Sequence, residues 1–230
     1  MSLFGKGPTG TVEKEQDYSK RTVDTGAYEG IIKMAFVGAA PSGAKFVTLQ
    51  LKLANGKDYT ETVYITNKEG SVTYKKDDKE FFLPGYTLIN NLAILTTNRG
   101  LFDLEGDVET RTVKLYDYDA KADVATDVPA IIPMIGQKVL VAISEEEYAK
   151  TKRNDSTGKY DPTGEYGVKN QLVKAYCPET RKSPVELRDN KDATALDNWI
   201  ATYGGKLKTV ERTAAPANQT ANPTPSGLFG

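Results

Sequence analysis

The clearest pattern in this sequence is a two-residue alternation of apolar and polar side chains over Lys45–Ala54. One side of the segment is apolar throughout, with Val47, Leu49, Leu51 and Leu53. The other side carries one ring among polar groups, Phe46, Thr48, Gln50 and Lys52. Such alternation is typical of a half-buried β-strand, so the apolar set is expected to face the core.

Two neighbouring segments extend this strand into a sheet. Asn55-Gly56 is a strong hairpin signal, and Asp58–Thr66 returns with β-branched and aromatic residues. We expect Val63 and Ile65 to point inward, which leaves Tyr64 outside. Alternation over Gly30–Val37 predicts an earlier strand. One side of it is apolar, with Ile32, Met34 and Phe36, and the other side carries Lys33.

A single change of period interrupts the strands. Leu88, Leu92 and Leu95 lie on one helical stripe within Gly85–Asn98, and Thr87 is the expected N-cap. The polar segment before this helix is expected to fold back as a small hairpin. The remaining predictions are strands over Thr110–Asp117, Lys138–Ser144 and Val168–Tyr176, a long polar loop over Lys150–Gly164, and a helix over Ala193–Tyr203.

This order of elements predicts a mainly β protein. The fold that fits is an OB-type β-barrel with one inserted helix, a C-terminal helix and a disordered C-terminal tail. A sandwich with an inserted helix fits the same spacing. The predicted organisation is an irregular N-terminal arm over residues 1–27, the OB domain over 28–205 and a flexible tail over 206–230.

Composition excludes several classes of function. Lys and Arg total 30 against 31 Asp and Glu, so any phosphate-binding surface is a local patch. The chain has no histidine, the commonest general base and metal ligand. The acidic runs Glu145–Glu147 and Asp117–Asp119 are expected to be solvated rather than to hold magnesium. We therefore expect no enzyme activity, no metal and no cofactor.

Location follows from similar arguments. Cys177 is the single cysteine, and the first residues lack the basic-then-apolar character of a signal peptide. No apolar run approaches the roughly 18 residues of a membrane span. The expected location is a reducing cytoplasm, with no membrane partner.

Rings and lysines together on the polar sides of these strands predict binding of single-stranded nucleic acid, which needs stacking surfaces and cations in one groove. The first candidate is the outward side of the hairpin, and the alternative is that its rings pack against the N-terminal arm. The other candidates are outward residues of a later strand, the polar segment after the hairpin, and the late polar loop. The predicted contacts are Lys33, Phe46, Lys52, Tyr64, Lys68, Tyr74, Lys75, Lys76, Lys114, Tyr116, Lys152, Arg153, Lys159 and Tyr160.

Several segments also resemble one known group of proteins. They are Tyr59–Lys68, Leu83–Gly85, Pro162–Glu165, Cys177–Lys182 and the terminal Leu228-Phe229-Gly230. In these segments the chain is similar to the single-stranded-DNA-binding proteins of tailed bacteriophages, which are built on an OB-type barrel. The resemblance implies coating and protection of single strands during phage DNA replication and recombination, in the cytoplasm of the host bacterium.

The resemblance also implies that Leu228 and Phe229 contact phage replication proteins. The C-terminal tail departs from the better-known bacterial pattern, which is an acidic tail before a terminal Pro-Phe, because this tail carries almost no charge. An alternative function is a structural β protein of a phage virion, whose outward rings bury against neighbouring copies. A magnesium-dependent nuclease is a third, less favoured alternative.

Overall fold

The computed structural model describes residues 22–117 and 119–210, and this part of the chain is mainly β. The predicted arm up to residue 21 and the tail residues Leu228 and Phe229 lie outside it. The strands are β1 (Gly26–Ala39), β2 (Lys45–Leu53), β3 (Asp58–Tyr64), β4 (Thr73–Lys76), β5 (Lys79–Phe82), β6 (Val108–Asp117), β7 (Ala122–Ile131), β8 (Lys138–Arg153), β9 (Tyr160–Tyr176) and β10 (Leu207–Lys208). The helices are α1 (Pro84–Thr97), α2 (Pro184–Arg188) and α3 (Ala195–Tyr203), with 3₁₀ turns at Leu101–Asp107 and Ile132–Met134.

One large sheet organises the described residues. Its central order is β9-β8-β1-β2-β3, with every neighbouring pair antiparallel. Strand β7 pairs with the second half of β1, and β6 pairs with the other edge of β7. Strand β10 pairs with β8 in parallel. Strands β4 and β5 form a separate hairpin.

The expected closure of the sheet into a barrel is not found. In the described chain β3 and β9 form no backbone pairs, and helix α1 contacts both strands along this gap. The helix therefore occupies the position where the two strand edges would meet.

A bulge in β1 corrects the predicted faces of that strand. The register with β2 shifts between Ile32 and Met34, so one extra residue, Lys33, interrupts the alternation. Ile32 and Ala35 are both fully buried in the main core. The prediction that Met34 and Phe36 share the face of Ile32 is therefore wrong, because an inserted residue moves every later side chain to the other side.

The predicted core of β2 and β3 is confirmed. Val47, Leu49, Leu51 and Leu53 are all at most 2% exposed, and Ile65 is buried while Tyr64 is exposed. Helix α1 covers this core with Ile89, Leu92 and Ala93. Its first residue is Pro84, so Thr87 is not the N-cap; proline suits the first helical turn because its missing N–H would have no partner there.

The predicted loop over Lys150–Gly164 is wrong. Strands β8 and β9 continue through it as one antiparallel hairpin and leave only a short turn, residues 154–159. Both sides of this outer half are exposed. A two-stranded arm without a buried side has no apolar period, which explains why the pattern indicated a loop.

Helix α3, predicted over Ala193–Tyr203, packs on the side of β8 and β9 that faces away from the main core. Leu196 and Trp199 contact Leu140, Ala142 and Tyr176 in a second, smaller cluster. No helix in residues 22–117 and 119–210 is both long and apolar enough to cross a membrane.

A half-buried carboxylate links β3 to β9 across the gap. Glu61 accepts a hydrogen bond from the Tyr59 hydroxyl and another from the backbone N–H of Leu172, at 3.2 Å. Burial raises the pKa of Glu61 above its usual value, and the Tyr59 and Leu172 hydrogen bonds only partly oppose this. The side chain thus takes the role of a missing ladder bond.

We predict that Glu61→Ala lowers the free energy of unfolding by about 1–3 kcal/mol, because the Tyr59 hydroxyl and the Leu172 N–H lose their acceptor. Glu61→Gln keeps an acceptor oxygen and is expected to be at least as stable as the wild type at neutral pH, where the ionised carboxylate is costly. Urea unfolding at several pH values measures both effects.

The sign of the pH dependence follows from the raised pKa in the folded state. The folded protein binds the Glu61 proton more tightly than the unfolded chain, so this contribution to stability is complete below the unfolded pKa. It disappears as the pH rises through the folded pKa. The free energy of unfolding of the wild type should therefore rise relative to that of Glu61→Gln as the pH falls. If the difference between the two proteins is the same at all pH values, the raised pKa of Glu61 is contradicted.

Candidate nucleic-acid interface

Two aromatic rings meet on the side of β1–β3 that faces away from the core, which we call the outer face. Phe46 lies directly opposite Gly38 on one side and Tyr64 on the other, so the three residues share this face. The ring centroids of Phe46 and Tyr64 are 5.6 Å apart, with planes at 69°. Tyr64 is 52% exposed.

Gly38 allows this arrangement because it has no side chain. A Cβ atom at Gly38 would collide with the ring of Phe46, so the ring packs against the glycine backbone. The Phe46 side chain is only partly buried by this contact. A ring supported by backbone on one side is held in place while part of its surface stays open to solvent.

Polar groups continue from the ring pair along the outer face. Thr48 and Thr62 are opposite each other, and their hydroxyl oxygens are 3.0 Å apart. The next pair is Gln50 with Thr60. Lys52 lies six residues from Phe46, which corresponds to about 20 Å along the strand.

Lysines mark the far end of the outer face. Lys52 and Lys138 both lie opposite Ile31, on its two sides, and Lys33 is exposed in the bulge of β1. Lys52 also forms a 3.0 Å ion pair with Asp58, whose side chain is 81% exposed. Exposed ion pairs contribute little, so Asp58 is a weak competitor for an incoming phosphate. Lys138 was not predicted, because sequence alone does not reveal which strand lies beside β1.

The hairpin of β6 and β7 does not bring its predicted residues to this face. Phe36 pairs with Ala130, and both belong to a cluster with Val113 and Leu115 on the outer side. Lys114 and Tyr116 alternate with these residues and therefore lie on the opposite side of the hairpin. They form a separate ring and lysine pair.

The β4–β5 hairpin has a second aromatic and cationic side. Tyr74 is opposite Phe81, with ring centroids 5.8 Å apart, and Lys76 is opposite Lys79 on the same side. Lys75 lies on the other side, opposite Glu80. Of the predicted residues, Tyr74 and Lys76 therefore lie on one side of the hairpin and Lys75 on the other.

Phe81 and Lys79 were missed at the sequence level. The two turn residues, Asp77 and Asp78, have φ angles of 51° and 60°. A two-residue hairpin turn of type I′ requires positive φ angles at both positions. Recognising that turn would have set the register and placed Phe81 beside Tyr74. Aspartate tolerates the left-handed region better than most residues, but this signal is weaker than an Asn-Gly pair.

The hairpin is joined to the sheet at the end of β3. Pro84 and Gly85 follow β5 directly, and a Cβ atom at Gly85 would collide with the carbonyl oxygen of Tyr64. The base of the hairpin therefore contacts the end of β3. Lys68 lies in the turn between them, exposed and 3.7 Å from the carboxylate of Glu69.

The other predicted residues form a third group at the tip of the β8–β9 arm. Arg153 is opposite Tyr160, which is 67% exposed, and Lys152 is opposite Asp161. Lys159 lies in the turn between the two strands. The nearby carboxylate of Asp161 offsets the charge of Lys152. Arg153 and Tyr160 are therefore better placed than Lys152 to contact a phosphate and a base.

The expectation that the acidic run of β8 is solvated is wrong for Glu145 and Glu146, which are buried and engaged in protein contacts. Glu145 accepts a 2.6 Å hydrogen bond from the Thr22 hydroxyl, and Glu146 accepts bonds from Ser144 and Lys208. No group of three or more Cys, Asp or Glu residues in the described chain is arranged to hold a metal ion. No protein-family model and no curated protein sequence matches this chain.

We predict that Gly38→Ala lowers the free energy of unfolding by about 1 kcal/mol, the lower end of the cost of overpacking, because the added methyl group displaces the half-buried Phe46 ring towards solvent. Gly106→Ala is the matched control, since a Cβ atom at Gly106 would meet nothing within 4 Å. Thermal unfolding of both variants tests the packing. Equal effects of the two substitutions would show that the ring does not rest on Gly38.

Proposed function

We propose that this protein binds single-stranded DNA with little sequence preference and coats it during phage DNA replication and recombination. The observation that carries the proposal is a ring pair on the same face as Lys52 and Lys138: the half-buried Phe46 ring, seated on Gly38, meets the exposed Tyr64 ring. The bacteriophage setting and the contacts of Leu228 and Phe229 with replication proteins rest on the resemblance of the sequence segments.

Rings and lysines are the two components that a flexible polyanion with open bases requires. Stacking of a base on an aromatic side chain contributes about 1–3 kcal/mol and tolerates every base, since each has a π face. Lysines neutralise phosphates irrespective of sequence.

The polar groups between the two ends favour low sequence preference. Thr48 and Thr62 are within hydrogen-bonding distance of each other, so their hydroxyls are partly engaged. Gln50 is the one amide side chain in the four β2 positions of the outer face. A single amide reads few base edges.

The strand order supports an OB-type fold. In such a barrel the helix follows the third strand, and the fourth and fifth strands return beside the first. Here β8 and β9 hold the fourth and fifth places, and α1 follows β3 after the small hairpin. We propose that the β3–β9 gap, bridged by Glu61 and α1, is the position where the barrel would close.

We predict that Tyr64→Leu weakens binding of oligothymidine by at least about fivefold, the effect of one lost stacking contact. Tyr64→Phe keeps the ring and should bind as the wild type does. Fluorescence anisotropy of a labelled oligonucleotide at several salt concentrations gives both affinities. A wild-type protein that does not bind at low salt and elutes as large assemblies without DNA would instead support the virion alternative.

We also predict that the β4–β5 hairpin contacts DNA through one side only. Replacing Lys76 and Lys79 together by Gln should weaken binding and lower the slope of log affinity against log salt by about 1.4, since each phosphate contact contributes about 0.7 on single strands. Lys75→Gln, on the opposite side, is the control. A comparable loss with Lys75→Gln would mean that the hairpin acts through overall charge.

A further inference from the structure

A second ring rests against a glycine, on the other half of the sheet. Tyr148 of β8 lies directly opposite Gly167 of β9, and a Cβ atom at Gly167 would be 2.7 Å from the Cζ atom of that ring. The ring therefore packs on the backbone, as Phe46 does at Gly38. Tyr148 is 40% exposed, and the Nζ atom of Lys169 is 6.0 Å from its ring centroid.

Lysines continue from this ring towards helix α3. Lys169 and Lys174 lie opposite Glu146 and Ala142 of β8, on the side of the hairpin that carries Tyr148. Strand β10 adds Lys208, and the end of α3 adds Tyr203 and then Lys206. We call this set the β8–β9 strip: Tyr148, Lys169, Lys174, Tyr203, Lys206 and Lys208.

The strip has an excess of positive charge. Three of its lysines, Lys174, Lys206 and Lys208, line one groove together with Trp199 and Tyr203. Among the described residues of that groove, Glu146 is the one carboxylate. It is 9% exposed and bound by Ser144 and Lys208, which lowers its pKa against the effect of burial. A mobile polyanion therefore meets several cations and a shielded acid.

The strip is separate from the outer face although both belong to the same sheet. Along β8, Lys138 borders the outer face and Ser144 borders the strip. Between them, Leu140 and Ala142 are covered by Leu196 and Trp199 of α3. The covered stretch from Lys138 to Ser144 spans about 20 Å, so a bound strand would have to pass α3 to reach both surfaces.

We propose that the β8–β9 strip is a second binding surface for single-stranded nucleic acid, occupied by strands too long for the outer face alone. Charge complementarity and the glycine-backed Tyr148 ring identify the ligand as a flexible polyanion with open bases. The inference rests on the proposed function, because it assigns a second surface to the same class of ligand.

The test compares short and long oligothymidines, of about 8 and about 30 nucleotides, chosen to fit one surface or to reach beyond it. Tyr148→Leu keeps an apolar cover over Gly167 but removes the π face, whereas Tyr148→Phe keeps it. We expect Tyr148→Leu to weaken binding of the long oligonucleotide at least about fivefold and to leave binding of the short one unchanged. Trp199, the single tryptophan, reports directly because it lines the groove, and its emission should change with the long oligonucleotide only.

Charge variants give an independent reading of the same surface. Lys169→Gln with Lys174→Gln should lower the salt slope for the long oligonucleotide by about 1.4. Arg188→Gln with Lys191→Gln removes two charges from residues that pair with Asp189 and serves as the control. Circular dichroism spectra confirm that each variant is folded.

The outcomes separate the two proposals. If Tyr148→Leu and the Lys169 and Lys174 variant bind the long oligonucleotide as the wild type does, the strip is not a binding surface and the outer face remains the site. If Tyr148→Leu weakens both oligonucleotides equally, the strip is not a separate second surface. If the wild type binds neither, the proposed function itself fails.

Discussion

The pairing of β2 with both of its neighbours is the constraint on which the rest of the structure depends. Because side chains alternate along a strand, the burial of Leu49 and Leu51 in the core obliges Phe46 and Lys52 to lie outside. The same register sets Gly38 beneath Phe46 and Tyr64 at its edge. Core and candidate interface are thus two results of one alternation, and a shift of one residue would abolish both.

The regular part of this arrangement could be read from the sequence. Continuous alternation in β2, the Asn55-Gly56 turn and the helical stripe after it identified the central hairpin, α1 and the exposed side of Tyr64. Each of these elements has one side against the core, so burial leaves a periodic trace. Phe46, Lys52 and Tyr64 were assigned to one side for the same reason.

The remaining features depend on contacts between distant segments. The bulge at Lys33 exchanges the faces of β1, and no local residue preference indicates it. The outer half of the β8–β9 arm lacks a buried side and was interpreted as a loop. Lys114 and Tyr116 lie apart from the outer face because a single residue pair between β1 and β7, Phe36 with Ala130, orients their hairpin. Tyr148 was missed because its partner, Gly167, is defined only by the register of the arm.

Glycine-backed rings connect the fold to the proposed activity. At Gly38 and at Gly167, the absence of a side chain lets a ring lie on the opposite strand, so the ring surface is available without a mobile loop. Both rings share their side of the sheet, away from the main core, with lysines: Lys169 is close to the Tyr148 ring, whereas Lys52 lies about 20 Å from Phe46 at the other end of the outer face. The structure separates them by the contact of α3 with Leu140 and Ala142.

The most direct test of the central claim is ultraviolet crosslinking of oligothymidine to the wild-type protein, with the linked peptides identified by mass spectrometry. The account predicts crosslinks at Phe46 and Tyr64 that are lost at high salt. Efficient crosslinking elsewhere on the chain, with none on β2 or β3, would contradict it.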